Sequence, residues 1–329
     1  MKFAQFHQFG DPATVVTAVD GPEPDAPGPG EVVVDIEVFP INPVDLLTIA
    51  GKYAVRPTLP AIPGSEALGR VTSVGEDVIH VTPGQRVLMM GRENWMQRKR
   101  VPAAEVLPVP ANADPMQLAM LKINPATALL MLTRYCTLQP GEWLLQNAAN
   151  SSVGRSMIQL AGASGIRTVN VVRRQDAVAP LKELGADVVL VDGPDLAERV
   201  RQQTGGADIR LAMDAVAGEA TGRLAECLCE GGTVVNYGLL SGKACALDPY
   251  QVIFRQITLT GFWLVKYLGA MSNEEKISLY AGLAESFVNG ALGVAVEAVY
   301  PLDEIQSALE HAARGGRDGK GLVAPNGLP

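Results

Sequence analysis

Only three histidines and four cysteines occur among the 329 residues, and no cysteine precedes Cys136. A catalytic zinc site of the alcohol-dehydrogenase kind needs cysteine and histidine ligands gathered in the first domain. His7, His80 and His311 do not fall at ligand spacing, so zinc-assisted alcohol oxidation is disfavoured and no metal is expected. Cys136, Cys227, Cys229 and Cys245 are too few and too irregularly spaced for a disulfide framework, which fits a reduced, cytoplasmic setting. Also missing is any run of about 18 uncharged apolar residues. The start, MKFAQFHQFGDP, lacks the apolar segment of a signal peptide, so no membrane association is expected. Basic charge is scarce as well: 27 Lys and Arg against 35 Asp and Glu leave a net charge of −8. Nucleic acid is then a poor partner, because binding it needs a basic field. The local exception is residues 92–100, RENWMQRKR, which read either as a solvated strand face or as a basic lip for a phosphate-bearing substrate.

Two textures divide what is present. The first third alternates β-branched residues with Pro and Gly turns, as in EVVVDIEV and RVTSVGEDVIHVTPGQRVLMM, and predicts a compact barrel-like sheet. From about Pro115 the pattern becomes helical, then alternates strands at 143–146, 168–172, 188–191, 209–212, 232–237 and 258–263 with helices. Such alternation implies a parallel sheet covered on both faces. Beyond Leu264 come a helix at 273–289, a strand at 294–300 and a helix at 302–313, a tail expected to rejoin the first domain. The expected domains are 1–121 with 264–329, and 122–263. The active site is expected in the cleft where they meet, beside the carboxyl ends of the parallel strands.

The cofactor is legible in GEWLLQNAANSSVGRSMIQLAGASGIRTVNVVRR, which reads as strand, small-residue turn, helix and strand. Ala149, Ser151 and Gly154 occupy the three glycine positions of a dinucleotide fingerprint, with only the last glycine kept. Arg173 and Arg174 stand where NAD binders carry an acid, about 20 residues past the fingerprint. A guanidinium there suits a 2′-phosphate, so the cofactor inferred is NADPH.

NADPH implies hydride chemistry, and without a Lewis acid the acceptor should be conjugated: an enone, an enoyl thioester or a quinone. Tyr53, in INPVDLLTIAGKYAVRPTLP, sits in an irregular stretch where a phenol could donate to an enolate. A loop tyrosine packed on an apolar wall is the other reading of the same position.

FGDPATVV, INPVDLLTIAGKY, LPAIPGSEALGRVTSVG, KINPATALLML, NAANSSVG, NVVRR, GGTVVNYG and LTGFWL occur in an order that covers nearly the whole chain. In these stretches the chain resembles the medium-chain dehydrogenase/reductase superfamily, and in particular its zinc-independent 2-enoyl thioester reductases of the mitochondrial type. The resemblance implies a GroES-like β-rich catalytic domain, a Rossmann cofactor domain and a homodimer. It also implies reduction of an enoyl group carried on coenzyme A or an acyl carrier protein. Tyr53 then matches the catalytic tyrosine, while Asn42, Phe262 and Trp263 belong to the substrate pocket. Cofactor contacts are implied for Asn124, Asn150, Ser151, Ser152, Val153, Gly154, Arg173, Arg174, Gln175, Tyr237, Gly238, Leu239, Leu240, Phe262, Trp263, Leu264, Val265 and Lys320. Quinone oxidoreductases of the same superfamily share the Asn42, Asp45 and Tyr53 pattern, and a catalytically idle cofactor binder would keep the same fold. The chain departs from the thioester reductases in a shortened segment at 89–95, in Lys122 where a smaller residue is usual, and in Ser152 where glycine is usual.

Overall fold

The structure is a computed structural model and describes residues 1–317 and 319–329. The chain forms two compact units, Met1–Ile123 with Asn273–Pro329, and Asn124–Ser272. No helix among the described residues is long and apolar enough to cross a membrane.

The first unit is built on a seven-stranded sheet around the long strand Glu31–Pro40. Val32, Val34, Ile36 and Val38 are fully buried along it, while Asp35 and Glu37 point the other way. Glu37 takes Arg70 and Arg86, and Asp35 takes Arg98. The core joins this strand to Phe6, Phe39, Trp95 and the helix Ile305–Ala313, with the Phe39 and Trp95 rings stacked 5.5 Å apart. Where one continuous helix is expected from 302, a 3₁₀ turn at Leu302–Glu304 precedes the α-helix.

A buried polar network ties distant parts of this unit together. Asn42 caps the helix Pro43–Ile49, and its Nδ2 donates to Glu66 Oε1 at 2.6 Å while its Oδ1 accepts from Lys320 Nζ at 2.6 Å. Glu66 Oε2 accepts the Ile123 N–H, and Asp45 accepts the backbone N–H groups of Asn42 and Ser65. Lys122 Nζ donates to the carbonyls of Ser65 and Gly91, and the Tyr280 hydroxyl donates to the Lys122 carbonyl. Each of these side chains is nearly enclosed, so every bond replaces one made with water.

The second unit is a six-stranded parallel sheet in the order Val188–Val191, Arg167–Val172, Trp143–Gln146, Leu211–Asp214, Thr233–Asn236, Thr258–Gly261. Chain order reverses between Trp143–Gln146 and Leu211–Asp214, the switch point where doubly wound sheets take ligands. The strand expected at 209–212 lies two residues later, because Leu211, Ala212 and Met213 pair with Leu144, Leu145 and Gln146. The helix Leu264–Ala270 belongs to this unit.

Burial pushes the Glu66 carboxyl up to about 7, against the bond from Asn42 and the charge of Lys320. A carboxyl whose folded pKa lies above its ordinary value binds protons more tightly in the folded chain, so its contribution to stability falls as pH rises from the unfolded to the folded value. The unfolding free energy of the wild type minus that of Glu66→Gln, from denaturant titrations, should therefore fall between about pH 5 and 7 and level above it. The swing should be on the order of 2–3 kcal/mol, and a difference that is flat or rises with pH contradicts this role.

Candidate active site

In the second unit the strand Trp143–Gln146 leads through Ala148, at φ +47°, into a tight loop. Ser151 then caps the helix Ser152–Ala163, its Oγ accepting the Gly154 N–H at 3.1 Å. The N–H groups of Ser152 and Val153, at the first two helical positions, meet no acceptor among the described residues. Gly154 lies so close to the loop that a Cβ would stand 2.5 Å from the Ala149 carbonyl oxygen. The Tyr237 hydroxyl is buried beside Ser151 without a well-formed hydrogen bond, and burial drives its pKa up. Unpaired amides at the positive end of a helix, with an orphaned hydroxyl next to them, fit a pyrophosphate.

The strand Arg167–Val172 ends at Arg173, Arg174 and Gln175, all exposed. Arg174 is held by Asp176 at 3.1 Å, whereas Arg173 has no ion pair among the described residues. Arg173 is thus the guanidinium at liberty for a 2′-phosphate.

The carboxyl ends of the next strands are fixed by Asp214, a residue the motif reading passes over. Its Oδ1 accepts from Asn147 Nδ2 at 2.6 Å and from the Val216 and Ala217 N–H groups, and its Oδ2 accepts from the Thr221 hydroxyl at 2.6 Å and from Asn236. Asn147 in turn accepts the Ala215 N–H. This web sets the backbone that carries Tyr237 and Gly238, where a Cβ on Gly238 would meet the Ala215 carbonyl at 2.5 Å. An acid closing an apolar strand, as in LAMDAV, is the one signal that could have found it. Leu239 and Leu240 follow as exposed side chains. Phe262 is buried and stacks on Tyr267 at 4.7 Å, Trp263 is 39% exposed ahead of the helix Leu264–Ala270, Leu264 is buried and Val265 exposed. Asn124, nearly buried, opens the helix Asn124–Arg134.

In the first unit Tyr53 is half-buried just after the helix Pro43–Ile49, its N–H donating to the Leu47 carbonyl. The Arg92 guanidinium lies over its ring, 5.4 Å from the centroid. Asn42 and Lys320 are brought together, but inside the unit: Asn42 is 1% exposed, and the Lys320 ammonium is spent on Asn42 Oδ1 and the Ile41 carbonyl. Of the basic segment, Arg98 and Arg100 are paired with Asp35, Glu23, Glu31 and Asp25 on the strand face. Arg92 is the guanidinium of that segment without an ion pair among the described residues.

Residues 28–110 match the alcohol dehydrogenase GroES-like domain, and 152–285 match the zinc-binding dehydrogenase family. The chain is 33% identical over 319 residues to the mitochondrial enoyl-[acyl-carrier-protein] reductase of Rattus norvegicus, an alignment covering 93% of this chain and 83% of that one. Among solved structures it superposes on the Etr1p complex with NADP and crotonyl-CoA at a TM-score of 0.88 and 26% identity, covering 98% and 99% of the two chains. Etr1p is the 2-enoyl thioester reductase of Candida tropicalis. It superposes equally, at 0.88 and 26% identity over 99% and 100%, on the quinone oxidoreductase of Escherichia coli complexed with NADPH. The chain therefore belongs to the medium-chain dehydrogenase/reductase superfamily, in the family that includes the mitochondrial enoyl-[acyl-carrier-protein] reductases.

Proposed function

We propose that this protein is an NADPH-dependent reductase of α,β-unsaturated acyl thioesters. The observation that carries the reading is Tyr53, a half-buried phenol on a braced loop, in a chain whose other unit presents a phosphate loop and a guanidinium at the adenosine end. NADPH, when bound, supplies the hydride that goes to the β-carbon. Tyr53 donates a hydrogen bond to the thioester oxygen, where the electron pair displaced from the double bond collects. The interaction tightens as charge develops, which is what lowers a barrier rather than only a KM. A proton drawn from solvent then adds to the α-carbon, and the electron pair held on the oxygen re-forms the thioester carbonyl.

Ser151, Ser152, Val153 and Gly154 hold the pyrophosphate, and Arg173 holds the 2′-phosphate. Asn124, Asn150, Tyr237 and Gly238 through Leu240, with Phe262 to Val265, complete the cofactor and substrate surfaces. The chemistry proposed is zinc-independent: the cysteines all lie in 124–272, His80 bonds the Ala103 carbonyl, and His311 sits with Tyr300. The thioester carrier is coenzyme A or an acyl carrier protein. A homodimer is proposed through the outer strand Thr258–Gly261, around which Leu259, Ile253, Phe254 and Tyr250 are exposed. Likeness to the Escherichia coli enzyme supports quinone reduction as the second reading.

Tyr53→Phe should cut kcat on crotonyl-CoA by about 10²-fold, the size expected for a positioned donor, with NADPH affinity unchanged in a fluorescence titration. Turnover that survives intact removes Tyr53 from the chemistry. Arg173→Asp should lower the NADPH-to-NADH ratio of kcat/KM by at least about tenfold. Arg174→Ala should do less, since Arg174 is already paired with Asp176. An unchanged ratio in Arg173→Asp would contradict the assignment of the 2′-phosphate site.

A further inference from the structure

Arg92 stands apart from the other cations of its segment. Its guanidinium covers the face of the Tyr53 ring at 5.4 Å and donates to Thr48 Oγ1 at 3.4 Å. Thr48 is itself oriented, because its hydroxyl donates to the Val44 carbonyl at 2.7 Å. The turn that carries Arg92 is pinned on both sides: Lys122 Nζ bonds the Gly91 carbonyl at 2.7 Å, Lys99 Nζ bonds the Arg92 carbonyl, and Asn94 Nδ2 reaches the carbonyls of Gly91 and Gly64. Glu93, at φ +62°, turns the chain there.

Charge makes the arrangement informative. Arg92 and Lys99 are both close enough to Lys122 to oppose its positive charge, and the acids that act on these two lysines, Glu66, Asp45, Glu93 and Glu105, form no ion pair with Arg92 among the described residues. Arg92 is half-buried, and its guanidinium sets at the Tyr53 ring a positive charge that no carboxylate among the described residues pairs. Arg98 and Arg100, a few residues on, are each matched by two carboxylates.

We infer that Arg92 is a positioning residue for Tyr53: its guanidinium fixes the ring against the helix Pro43–Ile49 and sets a positive charge on the phenol that bonds the thioester oxygen. The inference rests on the proposed role of Tyr53. As the substrate oxygen becomes anionic, the hydrogen bond draws density onto the phenol oxygen. A cation at the ring face stabilises that redistribution more in the transition state than in the ground state.

The test is a double-mutant cycle of Arg92→Met with Tyr53→Phe, assayed on crotonyl-CoA and on trans-2-hexenal, which has no phosphate. Arg92→Met should lower kcat about tenfold on both substrates with KM within about twofold. Arg92→Lys, which keeps the charge and serves if the methionine variant is unstable, should retain at least about a third of kcat. In the Tyr53→Phe background, where the ring remains and the hydroxyl is gone, Arg92→Met should change kcat less than about twofold. A silent Arg92→Met, an equal loss in the Tyr53→Phe background, or a defect confined to KM for crotonyl-CoA overturns the positioning role, the last marking a phosphate contact. Full turnover by Tyr53→Phe alone would instead overturn the reading of Tyr53 beneath it.

Discussion

The bond from Asn42 to Glu66, backed by Lys320 on the other side of the same amide, is the constraint on which the first unit depends. It joins the end of the central strand, the start of the helix Pro43–Ile49, the loop at Glu66 and the C-terminal strand Lys320–Val323 through one side chain. Burial opposes every charge in it: the carboxyls of Asp45 and Glu66 are pushed up, and the ammonium groups of Lys122 and Lys320 are pushed down. Such a network gives little net stability against an apolar equivalent, but each member leaves a costly orphan if removed. What it secures is geometry, since the helix it caps leads directly to Tyr53.

Lys122 links that network to the site. Its ammonium reaches the Gly91 carbonyl, so Lys122 also braces the turn presenting Arg92. In the second unit Asp214 plays the comparable part, taking amide, hydroxyl and backbone donors at the ends of the strands. In both units a buried carboxylate organises the backbone while the groups proposed for chemistry stand at the surface it shapes.

Much of the second unit was readable because its signals are local. Strand, small-residue turn and helix occur within about twenty residues, and the cap at Ser151 and the close approach at Gly154 are consequences of small side chains in fixed order. Arg173 and Arg174 were legible as a pair, but the sequence could not show that Asp176 takes only Arg174. In the first unit the strands were legible by alternation, while Glu66 passed as part of a common PGSE turn and Lys320 was expected toward the cofactor. Both depend on partners far away in the chain, 278 residues in the bond from Lys320 to Asn42. Patterns of spacing carry no information about such pairings. The basic run at 92–100 does include a strand face, as one of its two readings had it, but the acids that pair Arg98 and Arg100 there lie on other segments and spacing does not name them.

In the reaction proposed for this protein, hydride reaches the β-carbon of an enoyl thioester. It is tested most directly by turnover of crotonyl-CoA with NADPH deuterated at nicotinamide C4, each diastereomer in turn, followed by mass spectrometry and NMR of the product. The product should be butyryl-CoA carrying one deuterium at C3 from one of the two diastereomers, with the new C2 hydrogen drawn from solvent. Absence of butyryl-CoA while 1,4-naphthoquinone still oxidises NADPH would contradict it and assign the site to quinones.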